Sequence, residues 1–389
     1  MKEYTRVCAT GLGIPEEWTS EEHPEQTFCA FSDGRMVSTY RAIPYVVYLN
    51  GAEAPAAGIA DVGTLPQYRR QGFARKVVSH HFQQMREKKE QSIAILWPSR
   101  GGIYRRYGYD FVTMQVKYRI DPTNIHFTDP SPPAGAFTEI REENIATLSE
   151  IYHSFASERN GYLRRPSEWW HAHALKRAKS SLITGALYSE GNKPRGYVFY
   201  TVETVREGTF HHEHRVTVEE ITYLDMRAFR ATWNYLAGMD LTSTIILPSV
   251  STDDPLPYLL VEPRGIIRQE TESSTTSLMG RIIDVERAMS QRGYNCDGRL
   301  IFEVNDEMCP WNQGRWEMDI SGGAAGLKRT KKTPQVTMNI DTLTALLFNY
   351  MSASFAARIG RIDITNPDAL PVWDTVMNTA YKPFCPDHF

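Results

Sequence analysis

The chain has 389 residues, 41% of them hydrophobic and 23% charged, with a formal net charge of −3. That length suits about two to three domains with filled cores and excludes a disordered chain. The charge balance excludes a globally basic nucleic-acid footprint, and no apolar run approaches the roughly 18–20 residues that cross a bilayer. The N-terminus lacks the apolar core of a signal peptide, so a soluble cytoplasmic protein with neither nucleic-acid nor membrane partner is expected.

In chain order, residues 27–43 (TFCAFSDGRMVSTYRAI) read as two extended runs about a Ser-Asp-Gly turn. Residues 45–63 give a further hairpin whose second strand enters LPQYRRQGFARKV. From Gly72 the spacing of Phe73, Val77, Val78, Phe82 and Met85 predicts an amphipathic helix of about four turns. SIAILWP (92–98) is a short apolar strand stopped by proline. GGIYRRYGYDF then starts a short helix that Gly108 ends, and FVTMQVKYRI continues as a strand.

Pro122, Pro130, Pro132, Pro133 and Gly135 mark a first boundary, and the polar run at 270–277 a second. Domains of 1–120, 121–280 and 281–389 follow. The middle one again reads strand–strand–helix through GYVFYTVE and VEEITYLDMRAFRATWNYLAG. The last opens on a helical pattern (Ile282, Ile283, Val285, Ala288, Met289). It continues with strand-like RLIFEVND, GRWEMDI and QVTMNI and a helical TLTALLFNYMSASFAARIG. The fold class is therefore α/β (α+β).

The five cysteines make no CxxC pair, and none has a histidine at zinc-ligand spacing. Neighbours on a helix point about 100° apart, so His80 and His81 do not share one ion easily. His211–His212 is the other histidine pair, and no metal is expected. Glu16, Glu17, Glu21, Glu22 and Glu25 beside Trp18 read first as a solvated face, with attraction of a cationic amine as the alternative.

The most informative stretch runs from Val62 through Gly63, Thr64 and the Arg69-Arg70-Gln71-Gly72-Phe73-Ala74-Arg75 sequence. Arginines in a first helical turn oppose the macrodipole at about 0.3–1 kcal/mol each. Three of them there make sense if an anion occupies the spot, and the free amides point the same way. Gly72 lets such an anion approach the backbone, and the small Ala74 keeps the next contact open.

Joined to the preceding strand and the following helix, this stretch resembles the GNAT acyl-CoA-dependent N-acetyltransferases, whose motif is [Q/R]-x-x-G-x-[G/A]. The phrase from Leu96 to Tyr109 (LWPSRGGIYRRYGY), the length, the tripartite layout and the final Phe389 resemble the Eis family within that class. The resemblance implies two tandem GNAT-like domains followed by a sterol-carrier-like domain, the second GNAT-like copy degenerate. In that copy no glycine stands at Tyr223–Arg230, and Asp225 puts a negative charge where an anion would sit.

The resemblance also implies acetyl-CoA as co-substrate, with Val62, Gly63 and Thr64 along its pantetheine arm. Arg70, Gln71, Gly72, Phe73, Ala74 and Arg75 cradle the pyrophosphate, and Ser99 and Arg100 reach in from the next strand. Tyr104, in the I-Y-x-R motif, becomes the general acid. A phenol of pKa near 10 can supply a proton to a departing thiolate, and Tyr107 and Tyr109 read as packing aromatics. The general base is the α-carboxylate of Phe389, on a tail docked by its prolines and aromatics. The substrates implied are aminoglycosides and other polyamines, and the assembly a homo-oligomer, commonly a hexamer.

Two departures stand out. The family's usual first strand is not found before Met1, and His388 stands where an acidic residue can help bind amines, with Asp387 one place earlier. A longer-chain acyltransferase and a non-enzymatic lipid- or CoA-binding protein are the alternatives.

Overall fold

Helix α1 (Lys2–Leu12) lays Tyr4, Val7 and Cys8, all buried, onto the strands that follow it. The structure, a computed structural model, describes residues 1–19, 23–130, 134–174, 183–207, 212–270 and 277–389. Glu21, Glu22, Pro132, Pro133, His211 and most of the polar run at 270–277 lie outside the described residues.

Strands β1 (Thr27–Ser32) and β2 (Arg35–Leu49) pair antiparallel about Asp33–Gly34. β2 turns through Asn50–Gly51 into β3 (Ala52–Thr64). Asn50 and Gly51 both have positive φ, as a two-residue Asn-Gly hairpin turn requires. Helix α2 (Phe73–Lys88) buries the periodic face that its spacing predicts. It returns the chain to β4 (Ile93–Leu96), a wholly buried strand parallel to β3. Helix α3 (Gly101–Arg105) and β5 (Asp110–Phe111) follow, with Gly108 at φ +81° between them.

The reading of FVTMQVKYRI as one strand is corrected here. β5 ends at Phe111, and β6 (Gln115–Ile120) starts in a different sheet. Between them Val112 is fully buried, and its amide donates to the Leu278 carbonyl, so the chain turns across the junction.

The middle of the chain supplies β7 (Ala136–Glu139), α4 (Ile145–Ser157), β8 (Asn160–Leu163), β9 (Ile183–Glu190), β10 (Lys193–Glu207) and β11 (His212–Tyr223). After these come α5 (Met226–Ala237), β12 (Thr242–Ser251), β13 (Ile266–Glu270) and β14 (Met279–Ile282). The first sheet has the order β1-β2-β3-β4-β14-β5, with β8 on the far end of β2; the second is β13-β6-β12-β11-β10-β9-β7.

Ile282 therefore ends a strand, contrary to the helical reading of 282–289. Met279–Ile282 are buried between the edges of β4 and β5, and the helix α6 (Val285–Ser290) begins only after Asp284. The Asp284 side chain caps that helix by accepting from the Arg287 amide.

The third sheet, β17-β16-β15-β18-β19, is built from β15 (Gly298–Asn305), β16 (Gly314–Ser321), β17 (Ala324–Arg329), β18 (Val336–Asn339) and β19 (Ile362–Ile364). Helices α7 (Ile340–Leu347), α8 (Ala353–Arg358) and α9 (Ala369–Met377) accompany it. The expected single helix over 342–360 is two, because Asn349 takes positive φ and the Ser352 side chain starts a new cap. The inner face of this sheet is filled, with Phe302 and Trp373 ring to ring at 5.2 Å. Its apolar residues run without a break into those of the first sheet, Ile93, Ile95 and Ile282 among them.

Candidate active site

β3 and β4 run parallel from Ala56–Ile93 to Ile59–Leu96, and then their pairing stops. On its other edge β3 is bulged: the register with β2 shifts between Thr39 and Arg41, and Asp61 takes φ +56°. The bulge is held by α1 and β2, since Tyr4 donates to the Asp61 carboxylate at 3.2 Å and Thr39 to its carbonyl at 2.9 Å. Burial pushes the Asp61 carboxyl above its usual range. One strand bulges while its neighbour departs, and a cleft of about 860 Å³ opens in the splay.

At one end of the cleft stands the start of α2. Arg70 and Gly72 both have positive φ, +62° and +84°, so the chain kinks into the helix through left-handed backbone. A Cβ on Gly72 would meet open space. The conformation, and not crowding, is what calls for glycine there. No side chain caps the helix and its first turn holds no acid. The arginines 69, 70, 75, 100 and 106 line the cleft, and no carboxylate does so among the described residues. Free amide donors, a helix dipole and five arginines lining one space suit an anion, although Arg69 and Arg106 also donate to backbone carbonyls.

Arg69 also carries structure. It donates to the Gly11 carbonyl at 2.8 Å and to the Thr64 carbonyl at 3.3 Å, tying α1 to the end of β3. Gly11 sits so close that a Cβ there would lie 2.7 Å from the Thr64 amide.

Tyr104 lies on α3 and faces the cleft, 8% exposed. Burial, then the neighbouring Tyr107, pushes its phenol up to about 12. The phenol is therefore protonated at neutral pH. Tyr109 is 1% exposed and packs on Phe82 and Tyr104, away from the cleft. Tyr107 lines the cleft while its carbonyl accepts from Arg281.

The C-terminal tail comes to the foot of the same splay. The Phe384 amide donates to the Asn160 carbonyl at 2.9 Å. The buried Asp387 carboxylate accepts from Arg165 at 2.9 Å and from the Tyr152 hydroxyl at 3.2 Å, and its carbonyl accepts from Trp97 at 2.9 Å. His388 stacks on Trp97 with centroids 4.3 Å apart, and burial holds its imidazole below the usual range. The Phe389 ring lies 4.8 Å from that of Tyr45 and covers Gly58, where a Cβ would come within 2.9 Å of it. Gly58 immediately precedes Ile59, the last β3 residue paired with β4, so the Phe389 ring lies against β3 next to the point where the two strands part.

With this geometry in view, comparison with known proteins is decisive. Two families described as "Acetyltransferase (GNAT) domain" match residues 9–112 and 161–282, and "Sterol carrier protein domain" matches 285–386. An uncharacterized N-acetyltransferase of Streptomyces avermitilis is 27% identical over 94% of this chain and 89% of its own. N-acetyltransferase Eis of Mycobacterium tuberculosis is 26% identical over 79% of this chain and 74% of its own. The crystal structure of Eis1 from Mycobacterium abscessus, 23% identical, shares the fold with a TM-score of 0.84 over 100% of this chain and 97% of that one. The chain is an N-acetyltransferase built from two GNAT domains and a sterol carrier protein domain, and it is similar to Eis.

In this acetyltransferase the structure brings Val62, Thr64, Arg70, Gly72, Phe73, Ala74, Arg75, Ser99, Arg100 and Tyr104 into one cleft. Three of the sequence candidates are not in its lining: Phe389, whose ring lies on Tyr45 and Gly58, Gly63 and Gln71. Gly63 packs toward α1, with Cys8 and Thr39 against it, and Gln71 donates to the Gln67 carbonyl. Arg106, Tyr68 and the Gly11–Leu12 end of α1 line the cleft without having been singled out in the sequence. Arg106 lay in plain view within the IYRRYGY phrase; the α1 end could be placed only by the fold. Asp387 is committed to Arg165 and Tyr152, so it is a tether for the tail.

In the second GNAT domain the start of α5 is closed. Asp225 accepts from the Arg227 and Ala228 amides at 3.0 and 2.9 Å, filling the place an anion would take. Glu16, Glu17 and Trp18 lie in an exposed turn after α1.

Proposed function

We propose that this acetyltransferase moves an acetyl group from acetyl-CoA directly to a primary amine of an aminoglycoside or another polyamine. The observation that carries the cofactor assignment is the uncapped start of α2, ringed by arginines, at the mouth of splayed parallel strands. The donor set fits a diphosphate: backbone amides and guanidinium groups, with no competing carboxylate among the described lining residues. Arg70, Arg75 and the first-turn amides would hold it, and the bulged edge at Val62–Thr64 would lie along the pantetheine arm. Bound there, acetyl-CoA supplies the thioester carbon.

The chain's own residues do the rest. In this reading the Phe389 carboxylate takes the proton lost by the attacking amine, directly or through water. As the new C–N bond forms and the C–S bond breaks, the Tyr104 phenol delivers its proton to the sulfur. A phenol lifted to about 12 is protonated at working pH, which suits an acid and not a base.

Calorimetry with CoA and a free-thiol assay with kanamycin and spermidine test this reading. CoA binding and thiol release are expected, with acetyl- preferred over myristoyl-CoA. Tyr104→Phe should lower kcat by about 10²–10⁴-fold at unchanged CoA affinity. One residue added after Phe389 should do similar damage. No heat with CoA overturns the cofactor assignment, and full activity in the extended chain overturns the role of the carboxylate.

A further inference from the structure

Beyond Ile59 the edge of β3 that faced β4 is free, and Val62 and Thr64 from that stretch line the cleft. The direction this edge takes is decided at the bulge. Between the Arg41–Ala60 and Thr39–Gly63 pairs β2 contributes one residue, while β3 contributes Asp61 and Val62. The extra residue is accommodated by Asp61 at φ +56°. Left-handed backbone is uncommon outside glycine, and aspartate and asparagine tolerate it best. A bulge bends its strand and re-aims whatever follows it.

On the β2 side the bulge is stitched by hydroxyl groups: Thr39 donates to the Asp61 carbonyl at 2.9 Å and Ser38 to the Gly63 carbonyl at 2.8 Å. The Asp61 side chain is fastened to α1, where the Tyr4 hydroxyl donates to it at 3.2 Å. Tyr4 is itself buried, so its ring does not swing away without opening the packing of α1.

Further along, α1 meets the same strand end at backbone distance. A Cβ on Gly11 would lie 2.7 Å from the Thr64 amide, and one on Gly63 would lie 3.2 Å from the Cys8 carbonyl. Arg69 closes the far end by donating to the Gly11 and Thr64 carbonyls. Helix α1 is thus clamped along 61–64, and Asp61 is the only ionisable side chain of that stretch. Glycine would give the same backbone without the latch.

We propose that Asp61 is a positioning residue for the acyl donor: latched to Tyr4, it fixes the bulge that turns the free edge of Val62–Thr64 toward the pantetheine arm. The proposal rests on the cofactor reading given above and adds to it a residue that does not line the cleft. Asp61 acts through the backbone that follows it and not by contact with the donor.

Isothermal titration of the full chain with CoA and with adenosine 3′-phosphate 5′-diphosphate, the same nucleotide without the arm, tests it. The wild type should bind CoA more tightly than the nucleotide. Asp61→Val is ill suited to left-handed backbone, and Tyr4→Phe lacks the donor. Each should weaken CoA at least about fivefold, roughly the worth of one hydrogen bond, with the nucleotide held within about twofold. Asp61→Asn keeps the backbone preference and an acceptor oxygen, and should restore most of the loss. The nucleotide titration on the same sample reports that the α2 cradle is folded, which a general loss of structure would not leave intact. CoA affinity unchanged in both Asp61→Val and Tyr4→Phe, or equal losses of CoA and nucleotide in Tyr4→Phe, overturns the proposal. A wild type that binds CoA and nucleotide equally overturns it and leaves the cofactor reading standing; one that binds neither overturns both.

Discussion

At the scale of single residues, the same element can look functional in sequence and be structural in the fold. His80 and His81 are the example. His81 is buried, its Nδ1 lies 2.9 Å from the Tyr40 hydroxyl and its ring 4.8 Å from that of Phe28; His80 bonds Gln84 on the exposed side. Burial, with His80 and Lys88 adding to it, holds the His81 imidazole down at about 4. The unfolded chain titrates near 6.5, so below that pH it binds a proton that the folded chain refuses. His81 therefore gives its full contribution above about 6.5 and loses it as pH falls toward 4. We expect urea midpoints of the wild type to drop across that window, with a cost approaching about 3 kcal/mol at its lower end. His81→Gln should flatten the slope between pH 6.5 and 4 even if it lowers stability overall. An identical slope in the variant would remove His81 as the cause.

At the scale of elements, one guanidinium carries the tail's ion pair. The Arg165 guanidinium joins Glu220 of β11 to Asp387, at 2.8–2.9 Å on both sides, and is 5% exposed with aromatic rings above and below. Removing it leaves two buried carboxylates uncompensated, a loss of about 3–5 kcal/mol. The expected result for Arg165→Met is faster amide exchange over residues 384–389 and a lowered kcat, with CoA affinity retained because the α2 cradle is remote from the change. Arg165→Lys should restore part of the protection. Unchanged exchange in the tail of Arg165→Met would show that other contacts suffice to dock it.

The elements also show which parts of the fold were readable. The cradle was legible because its cause is local: a positive-φ glycine, three arginines and an apolar period all lie between Arg69 and Met85. The first hairpin announced itself through Ser-Asp-Gly. Arg165 was not legible, since its two partners stand 55 and 222 positions away. The helical reading of Ile282 and Ile283 failed for a related reason. A short apolar run suits either period until it is known that β4 offers an open edge.

At the scale of the molecule, the three sheets are interlocked and not strung in series. β14 fills the place between β4 and β5, although it lies far from both in sequence. β8 lengthens the edge of β2, and β6 leaves the first sheet for the second. Polar contacts follow the same pattern. Arg281 of β14, fully buried, donates to the Tyr107 carbonyl at 2.9 Å and pairs with Asp306 of the third domain at 2.7 Å. Asp110 of β5 is held by Arg105 at 2.7 Å and by Arg361 of the third domain at 2.5 Å. A buried charge stripped of its partner costs about as much as a large core deletion. The first domain therefore has no low-energy state of its own: without residues 279–282 the apolar edge of β4 is bare, and Asp110 keeps one of its two arginines. Calorimetry of the whole chain should give a single transition, and a fragment of residues 1–120 should be unfolded or aggregated. A cooperative melt of that fragment, or two resolved transitions in the full chain, would show that the interlock is contact without coupling, and that the catalytic cleft can be opened without unfolding the domain that delivers the tail to it.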